Sequence, residues 1–135
     1  MPARGQFRVS VTKDDLVFSS AHFITYAGHR CEGLHGHNYR ARVTVDGALD
    51  PEDRLVFDFL ELKRIMRGLC RDVDHLVLLP MQSGRITVAE EGQTVRVAVD
   101  GAPRYVFPRR ACALLPVANT TVEMLAELLA GRLCA

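Results

Sequence analysis

The sequence predicts an α+β domain, and three features support that prediction. Several short runs alternate apolar with polar residues, as half-buried strands do. Two longer stretches repeat apolar residues three and four positions apart, which is the pattern of amphipathic helices. Turn-forming residues separate consecutive runs, so neighbouring strands can pair as hairpins. We therefore expect an antiparallel sheet backed by two helices on one face. A homo-oligomer would cover the other face and the sheet edges.

Length, charge and cysteine content narrow the class of protein. At 135 residues, the chain (residues 1–135) is expected to be a single domain that can bury a core without disulfides. The formal net charge of +1 favours neither a nucleic acid nor a membrane surface as partner. Four irregularly spaced cysteines are typical of reduced intracellular proteins. No apolar stretch has the length of a membrane span, and we expect a cytoplasmic protein.

The amino-terminal half is predicted to contain three strands. Residues 7–11 and 39–45 alternate in polarity, and residues 16–24 resume an extended pattern after Asp14-Asp15. Residues 26–33 form a loop in this interpretation, because they contain Gly28 and Gly33.

The predicted helices begin at capping residues. Asp58 offers an N-cap, and Glu61 three residues later completes a capping box ahead of a helical pattern that continues to residue 73. Thr120 is predicted to cap a second helix with Glu123 in its third position. Between the helices, residues 81–107 alternate in polarity around the hairpin signal of Asp100 and Gly101, which predicts an inserted β-meander.

Three histidines are predicted to bind one metal ion. His35 and His37 are two residues apart on a predicted strand, so their side chains leave the same face. His22 ends the preceding strand, and a hairpin would place it beside them. Three imidazoles with an open fourth position form the zinc arrangement that supports catalysis. His29 lies off the strand register and is interpreted as a surface residue.

Cys31, four residues before His35, leaves alternatives open. As a fourth ligand it would close the zinc site and make it structural. As a free thiol beside the cation it would readily become a thiolate that accepts a proton. A buried, inert thiol is a third reading.

Two further motifs have a functional and a structural interpretation. Asp74 next to His75 is a pairing that orients an imidazole for acid–base catalysis, although both residues also suit a helix C-terminus. Thr120, Thr121 and Glu123 either cap a helix or hold a nitrogen heterocycle at its N-terminus.

Taken together, the ordered motifs resemble the 6-pyruvoyltetrahydropterin synthase and 6-carboxytetrahydropterin synthase family over residues 7–134. The motifs are Phe18-Ser19-Ser20-Ala21-His22, Cys31 with His35-Gly36-His37-Asn38-Tyr39, Val56-Phe57-Asp58-Phe59 with Leu62-Lys63, Asp74-His75, and Asn119-Thr120-Thr121 with Glu123.

The resemblance implies the tunnelling fold (T-fold), in which antiparallel sheets backed by helices associate as trimers or hexamers. It implies Zn2+ on His22, His35 and His37, with Cys31 unligated as the base. Asp74 and His75 would form an acid–base pair reached across a subunit boundary.

The implied substrate is the small molecule 7,8-dihydroneopterin triphosphate, and the implied reaction eliminates triphosphate. The product is 6-pyruvoyltetrahydropterin, or 6-carboxytetrahydropterin for queuosine-type biosynthesis, which the residues from Cys31 to His37 favour. Family members finish with a strand whose Glu-Thr pair anchors the pterin. No residue after Glu123 matches that pair, so we expect the strand to be missing. A noncatalytic pterin- or purine-binding oligomer is the alternative.

Overall fold

The computed structural model describes residues 6–12 and 16–134. Two α-helices, one short 3-10 helix and eleven strands follow one another along this part of the chain. The strands are β1 (Phe7–Val11), β2 (Val17–His22), β3 (Thr25–Tyr26), β4 (Arg30–Cys31), β5 (His35–Arg40), β6 (Val43–Gly47), β7 (Val77–Pro80), β8 (Ile86–Glu91), β9 (Thr94–Val99), β10 (Ala102–Pro108) and β11 (Cys112–Leu115); the helices are α1 (Phe59–Arg71) and α2 (Val122–Leu133), with the 3-10 turn at Arg109–Ala111.

The central sheet is mixed, whereas the sequence predicted an antiparallel one. Its strand order is β11-β7-β2-β5. β2 and β5 pair antiparallel, as the predicted hairpin requires, but β7 runs parallel to both β2 and β11. Parallel neighbours need long crossover connections. Helix α1 lies on the path into β7, and the meander lies on the path from β7 to β11, so the long connections allow the parallel pairings.

Two of the predicted strand boundaries were wrong. The extended run at residues 39–45 is divided, because the chain stops pairing with β2 at Arg40 and begins pairing with β1 at Val43. Between these strands the Ala41 N–H donates to the carbonyl oxygen of Leu16 at 2.8 Å. The predicted loop at residues 26–33 contains the small hairpin β3–β4, whose turn has positive φ at Ala27 and Gly28.

The meander is confirmed as a separate three-stranded antiparallel sheet with the order β10-β9-β8. Val95 and Val97 from its middle strand are fully buried in a cluster that also contains Phe23 and Leu79. The meander is therefore packed against the central sheet next to the segment that follows His22.

Both helices contribute to one apolar cluster. Phe18, Leu78 and Leu115 from the central sheet contact Cys70 of α1 and Leu125 of α2 in this cluster. No helix within residues 6–12 and 16–134 is long and apolar enough to cross a membrane.

The start of α1 is confirmed, and the start of α2 is shifted by one residue. Asp58 accepts hydrogen bonds from the N–H groups of Leu60 and Glu61, but the Glu61 carboxylate pairs with Arg64 instead of completing the capping box. The helix ends at Arg71, two residues before the predicted end. The cap of α2 is Thr121, not Thr120, because the Thr120 hydroxyl is buried and donates to the carbonyl oxygen of Phe23 at 3.3 Å.

Candidate metal centre and its surroundings

The strand register brings three histidines together. His22 at the end of β2 lies opposite His35 at the start of β5, and His37 follows His35 on the same face. One ring nitrogen from each of the three lies within 4.8 Å of the other two. The Nε2 atoms of His35 and His37 are 2.9 Å apart. The predicted cluster of imidazoles therefore exists in the folded chain.

Backbone carbonyls determine which nitrogen each of two rings presents. The Nδ1 of His22 lies 2.8 Å from the carbonyl oxygen of Thr120, and the Nδ1 of His35 lies 2.8 Å from that of Gly33. A ring that donates its Nδ1 proton to a carbonyl keeps Nε2 unprotonated, with a lone pair available for a metal. These contacts pre-orient the two rings.

Burial also keeps His22 in its metal-binding form. The residue is 6% exposed. Removal from water lowers the pKa of His22, the Thr120 carbonyl opposes this, and the neighbouring His35 and His37 lower it further. Three neutral imidazoles are donors that suit Zn2+. The residues therefore fit the zinc ion that the family resemblance implies.

Cys31 lies outside this group of metal donors. It is half-buried on β4, and its Sγ is 3.6 Å from the carbonyl oxygen of Glu32. The thiol lines a separate cavity of about 320 Å3 whose wall includes Arg85 and Arg104 of the meander. Among the described residues, the metal-compatible set consists of the three histidines without Cys31.

Glu32 is a candidate functional residue that the sequence analysis did not select. Its Oε1 accepts a hydrogen bond from the Ile24 N–H at 2.9 Å and lies 3.7 Å from the Nε2 of His35. A carboxylate so close to a metal-facing nitrogen can exchange protons with a ligand bound there. Its position three residues before His35 was the available signal, but the adjacent Cys31 offered a more reactive group.

Asp74 and His75 form the expected pair. The Oδ1 of Asp74 accepts a hydrogen bond from the Ser19 N–H at 2.8 Å and lies 2.9 Å from the Nδ1 of His75. The Ser19 N–H is the main reason why the pKa of Asp74 is lowered, and His75 adds to the effect. His75 has a φ of 59°, in the left-handed region, and its side chain is 81% exposed.

This pair does not join the metal centre within one chain. His75 borders a cleft of about 440 Å3, and of the three histidines only His37 reaches it. Four strand residues of its wall, Ser19, Ala21, Gly36 and Asn38, alternate along β2 and β5 with the three histidines and so belong to the opposite face of the sheet. Ser20 and His37 border the cleft from the face that carries the histidines.

The predicted substrate-binding residues have different surroundings. Thr120 is fully buried, and its hydroxyl and carbonyl are engaged with Phe23 and His22. The Thr121 hydroxyl accepts a hydrogen bond from the Met124 N–H at 3.3 Å as the helix cap. Glu123 is exposed in the first turn of α2 and is not needed for capping.

Known proteins resemble this chain in sequence and in fold. A protein of Methanocaldococcus jannaschii with the provisional name 6-carboxy-5,6,7,8-tetrahydropterin synthase is 32% identical over 82% of this chain, which spans 67% of the archaeal protein. The Plasmodium falciparum 6-pyruvoyl tetrahydropterin synthase structure is 31% identical, with a TM-score of 0.87 over 96% of this chain and 78% of that one.

A third similar protein concerns catalysis directly. In a structure of the Plasmodium vivax 6-pyruvoyltetrahydropterin synthase, a glutamate named as a catalytic residue is replaced by alanine. That chain is 29% identical to this one, with a TM-score of 0.86, and the match covers 95% of this chain and 77% of that one. The family model for 6-pyruvoyl tetrahydropterin synthase matches residues 10–135. From this match, the sequence similarity and the shared fold, the chain is a member of the 6-pyruvoyl tetrahydropterin synthase family.

Proposed function

We propose that this protein is a zinc-dependent carbon–oxygen lyase that acts on 7,8-dihydroneopterin triphosphate and eliminates triphosphate. The observation that supports this most strongly is the convergence of His22, His35 and His37 within the fold of a tetrahydropterin synthase. When bound there, zinc would act as a Lewis acid that acidifies the side-chain hydroxyls and adjacent C–H bonds of the pterin. The product is 6-carboxytetrahydropterin, with acetaldehyde released, or 6-pyruvoyltetrahydropterin.

Two groups next to the metal centre are proposed to move protons. Cys31 is a free thiol four residues before His35, and its thiolate would accept a proton from the pterin side chain. Glu32 lies 3.7 Å from the Nε2 of His35 and is a second base at the same site. The catalytic glutamate named for the Plasmodium vivax protein supports a role for a carboxylate in this fold.

The two bases can be separated by matched substitutions. We expect Cys31→Ser and Glu32→Gln each to lower the rate of triphosphate release while zinc content stays at one ion per chain. If only one of the two substitutions lowers the rate, the other residue is not a base in this reaction. Arg96→Gln, on β9 and paired with Glu91, is the control and should leave the rate unchanged.

Asp74 and His75 are proposed to act on the metal centre of a neighbouring subunit. Four strand residues of their cleft belong to the sheet face opposite the three histidines, and His37 borders the cleft from the other face. Asp74 would hold the His75 ring so that Nε2 can give or take a proton. This requires a homo-oligomer, and the resemblance implies a trimer or hexamer.

Subunit complementation tests the shared site. Cys31→Ala and His75→Ala homo-oligomers should each be inactive. Co-expressed, they should regain about one quarter of the parental activity, because random assembly pairs an intact Cys31 with an intact His75 at that fraction of interfaces. A mixture as inactive as its components would contradict a shared site.

Pterin recognition is assigned to the N-terminus of α2. Thr121 and Glu123 are proposed to contact the heterocycle, and Glu123 is free to do so because it does not cap the helix. Thr120, which is fully buried, would act through His22 instead of through the substrate.

The direct test of the function is incubation of the zinc-loaded protein with 7,8-dihydroneopterin triphosphate. Chromatography should show triphosphate release together with loss of the pterin substrate, and mass spectrometry should identify the carboxy or the pyruvoyl product. Absence of both changes with one zinc bound per chain would rule out the lyase.

A noncatalytic pterin- or purine-binding oligomer is the alternative function. The exposed Glu123 could anchor a heterocycle in either function, so pterin binding by itself does not require turnover. Tight pterin binding without turnover, unaffected by Cys31→Ala, would establish this alternative.

A further inference from the structure

A basic cavity lies between Cys31 and the meander. Its wall contains the Cys31 thiol, His29, Arg85, Asp100 and Arg104, and its volume is about 320 Å3. His29 lies in the β3–β4 turn, whereas Arg85, Asp100 and Arg104 lie in or beside the strands of the meander. The same hairpin leads into the histidine group, because only three residues lie between Cys31 and His35.

The charge of this cavity depends on Arg104. Arg85 forms two parallel hydrogen bonds with the carboxylate of Asp100, at 3.1 and 2.9 Å, so these two charges compensate each other. Arg85 also donates to the carbonyl oxygen of Arg30 at 3.0 Å, which fixes its position. The Arg104 guanidinium lies 5.8 Å from the centre of the Tyr105 ring and forms a hydrogen bond with that side chain. Within the described chain it has no carboxylate partner, so no acidic side chain compensates its positive charge.

A β-bulge directs Arg104 to this position. Pro103 pairs with Ala98, and Tyr105 pairs with the next residue on β9, Val97, so Arg104 is the extra residue on β10. A bulge breaks the alternation of side chains along a strand and re-aims one of them. The rings of Tyr105 and Phe23 are 5.2 Å apart, and the Tyr105 hydroxyl accepts a hydrogen bond from the Leu34 N–H at 3.2 Å. The bulge is therefore anchored to the loop between Cys31 and His35.

We propose that Arg104, supported by the Arg85–Asp100 pair, forms a binding site for a phosphate group of the substrate next to Cys31. This inference rests on the proposed function, in which the metal faces the pterin side chain that bears the triphosphate. Guanidinium groups bind phosphate oxygens through a planar set of donors. An arginine without a carboxylate partner, in the cavity that the proposed base also lines, would hold the leaving group while Cys31 accepts the proton.

Affinity measurements on the zinc-loaded chain test this proposal. By calorimetry, Arg104→Gln should weaken the binding of inorganic phosphate and of neopterin triphosphate by about tenfold or more, because a charge-assisted contact is lost. The binding of neopterin, which has no phosphate, should be unchanged. Arg104→Lys should retain part of the affinity, since it keeps the charge but loses the planar donors.

Arg96→Gln is the matched control. Arg96 lies on the same small sheet, but it pairs with Glu91 and does not line the cavity. The Arg96→Gln variant should bind inorganic phosphate, neopterin triphosphate and neopterin as the parent does. A phosphate affinity of Arg104→Gln equal to that of the parent, or no phosphate binding by the parent, would overturn the proposal.

A second measurement uses the rate of Cys31 alkylation to detect phosphate in the cavity. Phosphate at a saturating concentration should slow the alkylation of Cys31 by iodoacetamide in the parent, as quantified by peptide mass spectrometry, and the Arg104→Gln variant should lose that protection. Because inorganic phosphate contains no pterin, this outcome is independent of the proposed lyase reaction. Phosphate binding without turnover would disprove the reaction and leave the anion site in place.

Discussion

The Nδ1 of His22 lies 2.8 Å from the backbone carbonyl oxygen of Thr120, and both residues are almost completely buried. The Thr120 hydroxyl in turn donates to the carbonyl oxygen of Phe23, the residue after His22. These two contacts join the end of β2 to the segment before α2. They fix the orientation of one of the three converging imidazoles through a residue outside that group.

Replacing Thr120 by valine should affect both stability and metal affinity. The substitution keeps the shape of the side chain but leaves the buried Phe23 carbonyl without its donor, so we expect the free energy of unfolding to fall by about 1–3 kcal/mol. The Thr120 backbone carbonyl that holds the His22 ring remains, but loss of the hydroxyl bond to Phe23 loosens the segment that presents this carbonyl, so zinc binding should weaken by up to about tenfold. Urea denaturation and competition with a zinc chelator measure the two effects.

Thr121→Ala is the matched control for that variant. It removes the N-cap of α2 and should lower the free energy of unfolding by about 1 kcal/mol. Its zinc affinity should equal that of the parent. A similar loss of zinc affinity in both variants would show that the effect of Thr120 is not specific to His22.

Removing one imidazole should abolish stoichiometric zinc binding. His35→Ala or His37→Ala leaves two of the three converging nitrogens, and two ligands do not retain zinc against a chelator. His29→Ala should bind one zinc ion per chain like the parent, because its ring lies outside the group. Elemental analysis after dialysis provides the measurement, and zinc retention in His35→Ala would contradict the assignment.

The stabilisation contributed by Asp74 should disappear in acid. The Ser19 N–H and His75 lower the pKa of the folded Asp74 carboxyl below its unfolded value of about 3.9. A group with a depressed pKa stabilises the fold above the unfolded pKa and loses this effect as the pH falls through the folded value. The parent should therefore exceed Asp74→Asn in stability at pH 7, and the difference should shrink below about pH 4.

Urea denaturation of both proteins between pH 3 and pH 7, with a chelator present throughout, checks this dependence. The chelator keeps both proteins free of metal, so metal release at acid pH does not contribute to the measured pH dependence. A stability difference that stays constant over this range would mean that the charge of Asp74 makes no contribution.

Tyr105→Phe should loosen the loop between Cys31 and His35. The hydroxyl of Tyr105 is the acceptor for the Leu34 N–H, and its removal frees that amide to exchange with solvent. We expect faster hydrogen exchange at Leu34 and a loss of about 0.5–1.5 kcal/mol in the free energy of unfolding. Tyr26→Phe, at an exposed position on β3, should change neither quantity. Unaltered exchange at Leu34 in Tyr105→Phe would contradict a role for the meander in holding this loop.

Local patterns in the sequence were sufficient for many features of the protein. The two-residue spacing of His35 and His37 predicts a shared face because side chains alternate along a strand. The cap at Asp58 and the hairpin at Asp100-Gly101 were likewise predicted, since capping and turn formation depend on a few adjacent residues. The ordered motifs also indicated the family that the comparisons show.

Only the tertiary structure decided the relationships between distant segments. The contact between His22 and Thr120 spans 98 residues, and neither residue's neighbours encode it. The parallel pairing of β7, the cap at Thr121 and the bulge at Arg104 likewise depend on which strand packs beside which. The physical reason is the distance along the chain over which each effect acts. Side-chain alternation, capping and turn formation depend on a few adjacent residues, whereas strand pairing and burial depend on the packing of the whole core.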